Sequence, residues 1–221
     1  MSQNSKLKNN FLILGAGGHA RVVGSILLAN NENILGFVDP IYHDNTKITI
    51  FGKPLIGNDS YLNTMKHYTI NCALGIGDNY KRQELFAKIN KVQFLPAIVH
   101  PCAQIDNFVS VDDGSIIANG AIISVDAKIG KGVIVNTGAI IDHECEIGDF
   151  SHISVGTRIA GKVTIGAFCF IGIGASIIDG IKIGKNSIIG AGSVVLEDVP
   201  ENVLIAGVPA KIIKLLPIKD E

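Results

Sequence analysis

Residues 129–153 read IGKGVIVNTGAIIDHECEIGDFSHI, and every sixth position in that stretch, Ile129, Val135, Ile141, Ile147 and Ile153, carries a β-branched aliphatic side chain. The frame continues without insertion from Val99 to Val195, and all 17 of its positions are Ile or Val. β-Branched side chains favour extended backbone, and a fixed short period marks a structure made by stacking one small unit on the next. Four residues beyond each aliphatic position stands a mostly small side chain, as in Ala121, Ala127, Ala139, Cys145, Ser151 and Thr157. An even spacing keeps both positions on one side of an extended chain, so they share an interior. Glycines just after the aliphatic position, among them Gly130, Gly148, Gly166 and Gly184, are expected to turn a corner in each hexad. Three sides close a triangular coil of about 18 residues, which predicts a parallel β-solenoid of roughly five to six coils. An antiparallel sandwich needs hairpin turns at irregular spacing, and the unbroken hexad speaks against it.

Upstream of residue 96 the period vanishes and a β-α-β pattern replaces it. An apolar strand Phe11–Leu14 leads through a glycine-rich turn into a helix from about His19 to Asn30, then a strand Ile34–Val38 that ends at Asp39. A strand near Ala73–Ile76, a helix from about Tyr80 to Lys91 and a strand Phe94–Val99 follow. The fold class is therefore mainly β with a small α/β domain: a Rossmann-like domain over residues 1–95, a β-helix over 96–200, and a cap over 201–221 in which a turn precedes a short helix or strand. Pro96 and Pro101 flank the passage between the two architectures.

Hydrophobic residues make up 47% of the 221-residue chain against 18% charged, ample for a packed core. No uncharged stretch reaches the roughly 18 residues of a membrane span, and the opening MSQNSKLKNN is polar where a secretory leader is apolar. A cytoplasmic protein with no membrane insertion is expected. A net charge of −1, with Lys and Arg scattered, leaves no electrostatic footprint for nucleic acid. Cys72, Cys102, Cys145 and Cys169 form no Cys-x-x-Cys pair and suit a reducing compartment. Small molecules are the expected ligands.

Two places carry candidate chemistry. In GAGGHA (residues 15–20), Gly15, Gly17 and Gly18 and the helix that follows bring backbone N–H groups within reach of a phosphate. Asp39 ends the next strand, where such folds set a carboxylate against ribose. Fewer than 100 residues leave no room for two mononucleotide halves, so a nucleoside diphosphate fits better than NAD. The second place is the hexad segment with Asn136, Asp142, His143, Glu144 and His152. His143 and Glu144 fall on an outward corner, and imidazole is the side chain that takes up a proton near neutral pH. One coil on from His143 lies Gly161, whose bare backbone N–H is placed to hold a tetrahedral oxyanion beside that base. A zinc set of His143, Glu144, Cys145 and His152 is disfavoured because the repeat turns Cys145 inward, so no metal is expected.

The hexads, GVPAK (residues 207–211) and HECEIGDFSHISVG (143–156) resemble bacterial sugar acetyltransferases of the left-handed β-helix type. The resemblance is nearest to those that N-acetylate a UDP-4-amino-sugar on the way to UDP-N,N'-diacetylbacillosamine, and it spans nearly the whole chain. It implies a left-handed helix, a homotrimer, acetyl-CoA as co-substrate and a nucleotide sugar as acceptor. It also implies that His143 is the general base, that Glu144 raises its basicity and that Asn136 shares their pocket. His152, Ile173 and Ala191 are implied to line an acetyl-CoA groove between neighbouring subunits. Gly17, Gly18, His19, Asp39 and Gly77 are implied to hold the nucleotide sugar. The chain departs from the family pattern at Gly17, where a Ser is usual, and at Pro40, where a second Asp is usual. Both lie in the nucleotide site and leave the base open among uracil, guanine and thymine. The sequence also leaves open O-acetylation of a sugar such as sialic acid, and a non-catalytic scaffold.

Overall fold

The computed structural model describes residues 8–43, 47–58, 60–64, 70–89 and 94–218. Its first unit runs β1 (Asn10–Leu14), α1 (Gly18–Ala29), β2 (Asn33–Val38), β3 (Thr49–Ile50), β4 (Lys53–Gly57), α2 (Tyr61–Thr64), β5 (Asn71–Leu74) and α3 (Asn79–Ile89). The apolar run of β1 is buried on both faces because alternate side chains serve different helices. Phe11 and Ile13 pack with Ala20, Val23, Ile26 and Leu27 of α1, while Leu12 and Leu14 pack with Leu85, Phe86 and Ile89 of α3. The sheet order is β3-β4-β2-β1-β5, parallel throughout except for the β3–β4 hairpin. The chain leaves β1 for one face and β5 for the other, so the two loops Gly15–Gly17 and Gly75–Asp78 meet at the switch point where open α/β sheets bind ligands.

Three elements of this unit, β3, β4 and α2, escaped the sequence pattern. The expected strand Phe94–Val99 is not one strand. Phe94 makes a single bridge to Asn71, and Ile98–Val99 already belongs to the β-helix. Pro96 separates them, since it has no N–H to give a ladder and restricts the residue before it. The expected end of α3 at Lys91 lies outside the described residues.

From Ile98 the chain winds through two-residue strands on three faces. The first face stacks Ile98–Val99, Ile116–Ile117, Ile134–Val135, His152–Ile153, Phe170–Ile171 and Ile188–Ile189. The second stacks Gln104–Ile105, Ile122–Ile123, Ile140–Ile141, Arg158–Ile159, Ser176–Ile177 and Val194–Val195; the third runs from Ser110–Val111 to Lys182–Ile183. All pairs are parallel, each residue opposite the one a full coil on, as Ile134 is to His152 and Ile140 to Arg158. The frame residues Ile117 to Val195 form one interior with Ala121, Ala139, Cys145 and Cys169. This is the expected left-handed parallel β-helix.

The corners differ from expectation. Every sixth residue from Phe108 to Gly192 has a left-handed φ of 55–71°, and seven of these, Phe108, Asp126, Glu144, Phe150, Lys162, Phe168 and Asn186, are not glycine. Gly148 and Gly166 do not turn the corner. A Cβ on either would lie 2.5 or 2.6 Å from the backbone nitrogen of Ala167 or Lys185, so they are glycine because the next coil is so close.

The tail is also reordered. Val203–Gly207 comes first and adds to Ile188–Ile189 of the first face; the chain then reverses through Pro209 into Ala210–Leu215. The α/β unit rests on the first face, with Ile98, Ile116 and Ala118 in the core of α1 and with Phe150 and Phe168 against the core of α3. Among the described residues no helix is long and apolar enough to cross a membrane.

Candidate active site

The corner after the second face presents Asp142, His143 and Glu144. Asp142 Oδ1 accepts the His143 backbone N–H at 2.7 Å, and the left-handed turn at Glu144 (φ 58°) folds its carboxylate back onto the imidazole. Glu144 Oε2 lies 3.2 Å from His143 Nδ1 and 3.6 Å from Lys162 Nζ. With the Nδ1 proton donated to the carboxylate, the lone pair is left on Nε2, the arrangement a general base requires. The His143 side chain is 44% exposed, open to an incoming ligand. Gly161 stands directly over it, and a Cβ there would meet Nε2 and Cε1 at 2.6 Å. The coils are tied at this corner by Glu144 N–H to Val125 O (3.0 Å) and Lys162 N–H to His143 O (2.9 Å). Cys145 points inward, its thiol donating to Ala160 O at 3.1 Å and held in the protonated form chiefly by burial. Among the described residues no group of three or more His, Cys, Asp or Glu is placed to hold a metal ion.

Ile173 and Ala191 lie on a different corner, the one after the first face, one coil apart and both exposed; Gly192 N–H donates to Ile173 O at 2.8 Å. Asn136 lies on the same corner lower down. Within one chain it does not join His143: its side-chain amide instead lies 3.3 Å from His152 Nε2, and its Oδ1 accepts the Thr137 N–H. His152 projects from the middle of the first face, between Phe170 and His19, rather than lining an open groove.

That places His19, expected to hold the nucleotide sugar, beside His152, expected to hold acetyl-CoA. Their ring centroids are 6.2 Å apart. His19 Nε2 and His152 Nδ1 are both buried without a hydrogen-bond partner; the Gly77 backbone comes near His152 without closing a bond. Burial pushes His19 down to about 3, with His152 and Arg82 adding to it, and pushes His152 down to about 4, with Arg82 second. Both imidazoles are therefore neutral near pH 7.

Gly17 and Gly18 begin α1, and a Cβ on either would meet nothing within 4 Å. Packing does not explain these glycines, whereas Gly15, at φ 111° and pressed on Gly75 O, is explained by it. Gly17 caps α1 with no side-chain hydrogen bond, which leaves the first N–H groups of the helix without a capping side chain. Asp39 fixes this loop, Oδ2 accepting Ala16 N–H at 2.8 Å and Oδ1 accepting Ile41 N–H at 3.0 Å. Pro40 lines a cavity of about 210 Å³ on the α3 side of the sheet, with Gly15, Ile76 and Lys81. Gly77 lines a larger cavity of about 490 Å³, between the start of α3, Phe168, Phe170 and Pro217.

The pattern of residues gave no sign of Asn79 or Arg82. Both are buried where α3 meets the β-helix, and Arg82 is wholly buried. A charged residue in the polar sequence NYKRQEL reads as solvated, and only the docking of α3 buries it.

Residues 10–89 match the family described as PglD N-terminal domain, and residues 162–197 the family of bacterial transferase hexapeptide repeats. Among solved structures, a mutant of GDP-perosamine N-acetyltransferase from Caulobacter crescentus, in complex with CoA and GDP-perosamine, shares 37% identity at a TM-score of 0.88, over 92% of this chain and 96% of that one. The acetyltransferase domain of PglB from Neisseria gonorrhoeae, in complex with acetyl coenzyme A, shares 31% at 0.87 over 93% and 100%. WeeI from Acinetobacter baumannii shares 26% at 0.81 over the same proportions. No curated protein sequence matches at a significant level.

Proposed function

Because this chain belongs to the left-handed β-helix, hexapeptide-repeat sugar N-acetyltransferases, we propose that it moves acetyl from acetyl-CoA to the 4-amine of a nucleotide-linked 4-amino-dideoxy sugar. The observation that carries the reading is the corner itself: an exposed imidazole with Nδ1 on Glu144 and Gly161 above its other edge. The amine nitrogen attacks the thioester carbonyl carbon, and His143 Nε2 takes the proton the amine sheds. Gly161 N–H holds the oxyanion of the tetrahedral intermediate. The carbon–sulfur bond then breaks, and His143 returns its proton to the departing thiolate, leaving an amide and CoA.

In this reading residues 1–95 hold the nucleotide sugar at Gly17, Gly18, His19, Asp39, Pro40 and Gly77, residues 96–200 carry the transfer and 201–221 cap the helix. A homotrimer supplies the rest. His143 is on one corner while Asn136, Ile173 and Ala191 are on another, so a neighbouring copy completes the acetyl-CoA groove. The four free cysteines accord with a cytoplasmic location. UDP is the first choice of nucleotide on sequence resemblance; GDP is the second reading, favoured by the likeness to an enzyme seen with GDP-perosamine. Release of CoA thiol from acetyl-CoA, measured with UDP-, GDP- and dTDP-linked 4-amino-4,6-dideoxyhexoses, tests it. Turnover with one of them is expected; turnover with none overturns the proposal, and turnover only on a hydroxyl acceptor selects O-acetylation.

A further inference from the structure

We propose that Arg82 is a positioning residue that sets the nucleotide-sugar loop Gly75–Asp78 in register with the β-helix; this rests on the reading above. The first turn of α3 touches the corner after the third face on four successive coils. Arg82 Nε donates to Gly132 O at 2.6 Å and Nη2 to Phe150 O at 2.6 Å, Asn79 Nδ2 donates to Phe168 O at 2.9 Å, and Tyr80 Oη donates to Asn186 Oδ1 at 2.7 Å. Those four acceptor residues are one coil apart in sequence, so the contact is a ladder matched to the repeat.

The same guanidinium faces the other way as well. Nη1 donates to Ile76 O at 3.2 Å and Gly77 O at 3.0 Å, and Nη2 also donates to Asn79 Oδ1 at 2.9 Å. One rigid, planar group thus holds the loop after β5 and two coils of the helix in a fixed relation. Among the described residues no carboxylate lies within ion-pair distance of it. Asp78 supports the charge only from beyond that distance; burying a cation with no ion-pair partner is costly unless every proton is used, and docking two apolar surfaces needs no cation at all. What the cation adds is direction: it turns the Ile76 and Gly77 carbonyls toward the β-helix. Beside Gly77, open space surrounds the point where a Cβ would sit, and the residue borders the cavity of about 490 Å³. The held side of the loop is therefore fixed by Arg82 while its free side faces the cavity.

The test compares wild type with Arg82→Lys and Arg82→Met as whole proteins, reading KM for the nucleotide sugar and for acetyl-CoA separately, with hydrogen exchange along the chain. Lysine keeps the charge but not the fork. In Arg82→Lys, which has three donors for the guanidinium's five, the nucleotide-sugar KM is expected to rise about tenfold, the worth of one charge-assisted hydrogen bond to the loop, with the acetyl-CoA KM unchanged within about twofold. Exchange is expected to quicken at residues 75–78 while the coils stay protected. Arg82→Met should exceed that effect; should it fail to fold, the lysine variant alone decides. Unchanged nucleotide-sugar KM, or parallel change in both KM values, overturns the assignment. Absence of transfer by the wild type itself overturns the parent reading and this one together.

Discussion

Gly161 lies one coil above His143 with no room for a side chain: a Cβ there would sit 2.6 Å from Nε2 and Cε1 of the ring. The glycine is demanded by this contact rather than by its own backbone angle. Gly161→Ala must push the imidazole outward or tilt it, which disturbs both the Glu144 contact and the Nε2 direction. A displacement near 1 Å at a reacting group is worth on the order of 100-fold. We expect kcat to fall by about that factor while the melting temperature moves little, because this corner is at the surface. An alanine variant with wild-type kcat would show that the stacked pair has no part in transfer.

His143 and Glu144 separate on substitution if one is the base and the other its orienting group. His143→Ala removes the proton acceptor, and kcat should fall between about 100- and 10,000-fold, the range for a positioned general base. Glu144→Gln keeps a hydrogen-bond acceptor at Nδ1 but not the charge, so a smaller fall of about tenfold is expected. Initial rates of CoA release at saturating substrates measure both. Equal losses would contradict this division of labour.

The stacking of Gly161 on His143 was legible in the sequence because an uninterrupted period makes register a matter of counting. The same counting separates Asn136 from His143, which are seven residues apart, one hexad and one residue. They therefore occupy neighbouring corners of one chain, and the shared pocket that resemblance implies needs a second copy. The corner glycines misled because two kinds of position take glycine in a coil, the left-handed turn and the close approach, and composition does not distinguish them. Glu144 and Phe150 show that the turn itself accepts large residues. Arg82 was illegible for a different reason: its closest acceptors on the β-helix are backbone carbonyls 50 and 68 residues away, and carbonyls leave no trace in a sequence.

The buried His19 and His152 give the protein a specific acid sensitivity. Unfolded, each takes a proton near pH 6.5; folded, only near about 3 and about 4. Between those limits the unfolded chain holds more protons, so stability is full above pH 6.5 and falls as the pH drops toward 4. A tenfold loss of proton affinity on folding is worth about 1.4 kcal/mol, so protonating the two rings costs the folded protein on the order of several kcal/mol. The charged group facing both rings is Arg82; the others in contact, Asn136 and Phe170, do not titrate. Urea midpoints from pH 7.5 to pH 4.5 should decline steeply for wild type and less for His152→Asn. Parallel slopes would show that acid lability arises elsewhere.

Gly148 and Gly156 distinguish two sources of strain in the β-helix. Gly156 has a φ of 64° with open space around it, so Gly156→Ala carries only the left-handed penalty of about 1 kcal/mol. Gly148 has an ordinary φ, yet a Cβ there would lie 2.5 Å from Ala167 N and 2.6 Å from Gly166 C, backbone atoms that cannot rotate away as a side chain would. To admit Gly148→Ala two coils must separate, stretching the Gly148 N–H bond to Ile165 O, now 2.7 Å, and its neighbours. Overpacking of this kind costs about 3 kcal/mol or more. The melting temperature should accordingly fall several times further for Gly148→Ala than for Gly156→Ala. The reverse order would mean that the turns, rather than the spacing between coils, limit the stability of the β-helix.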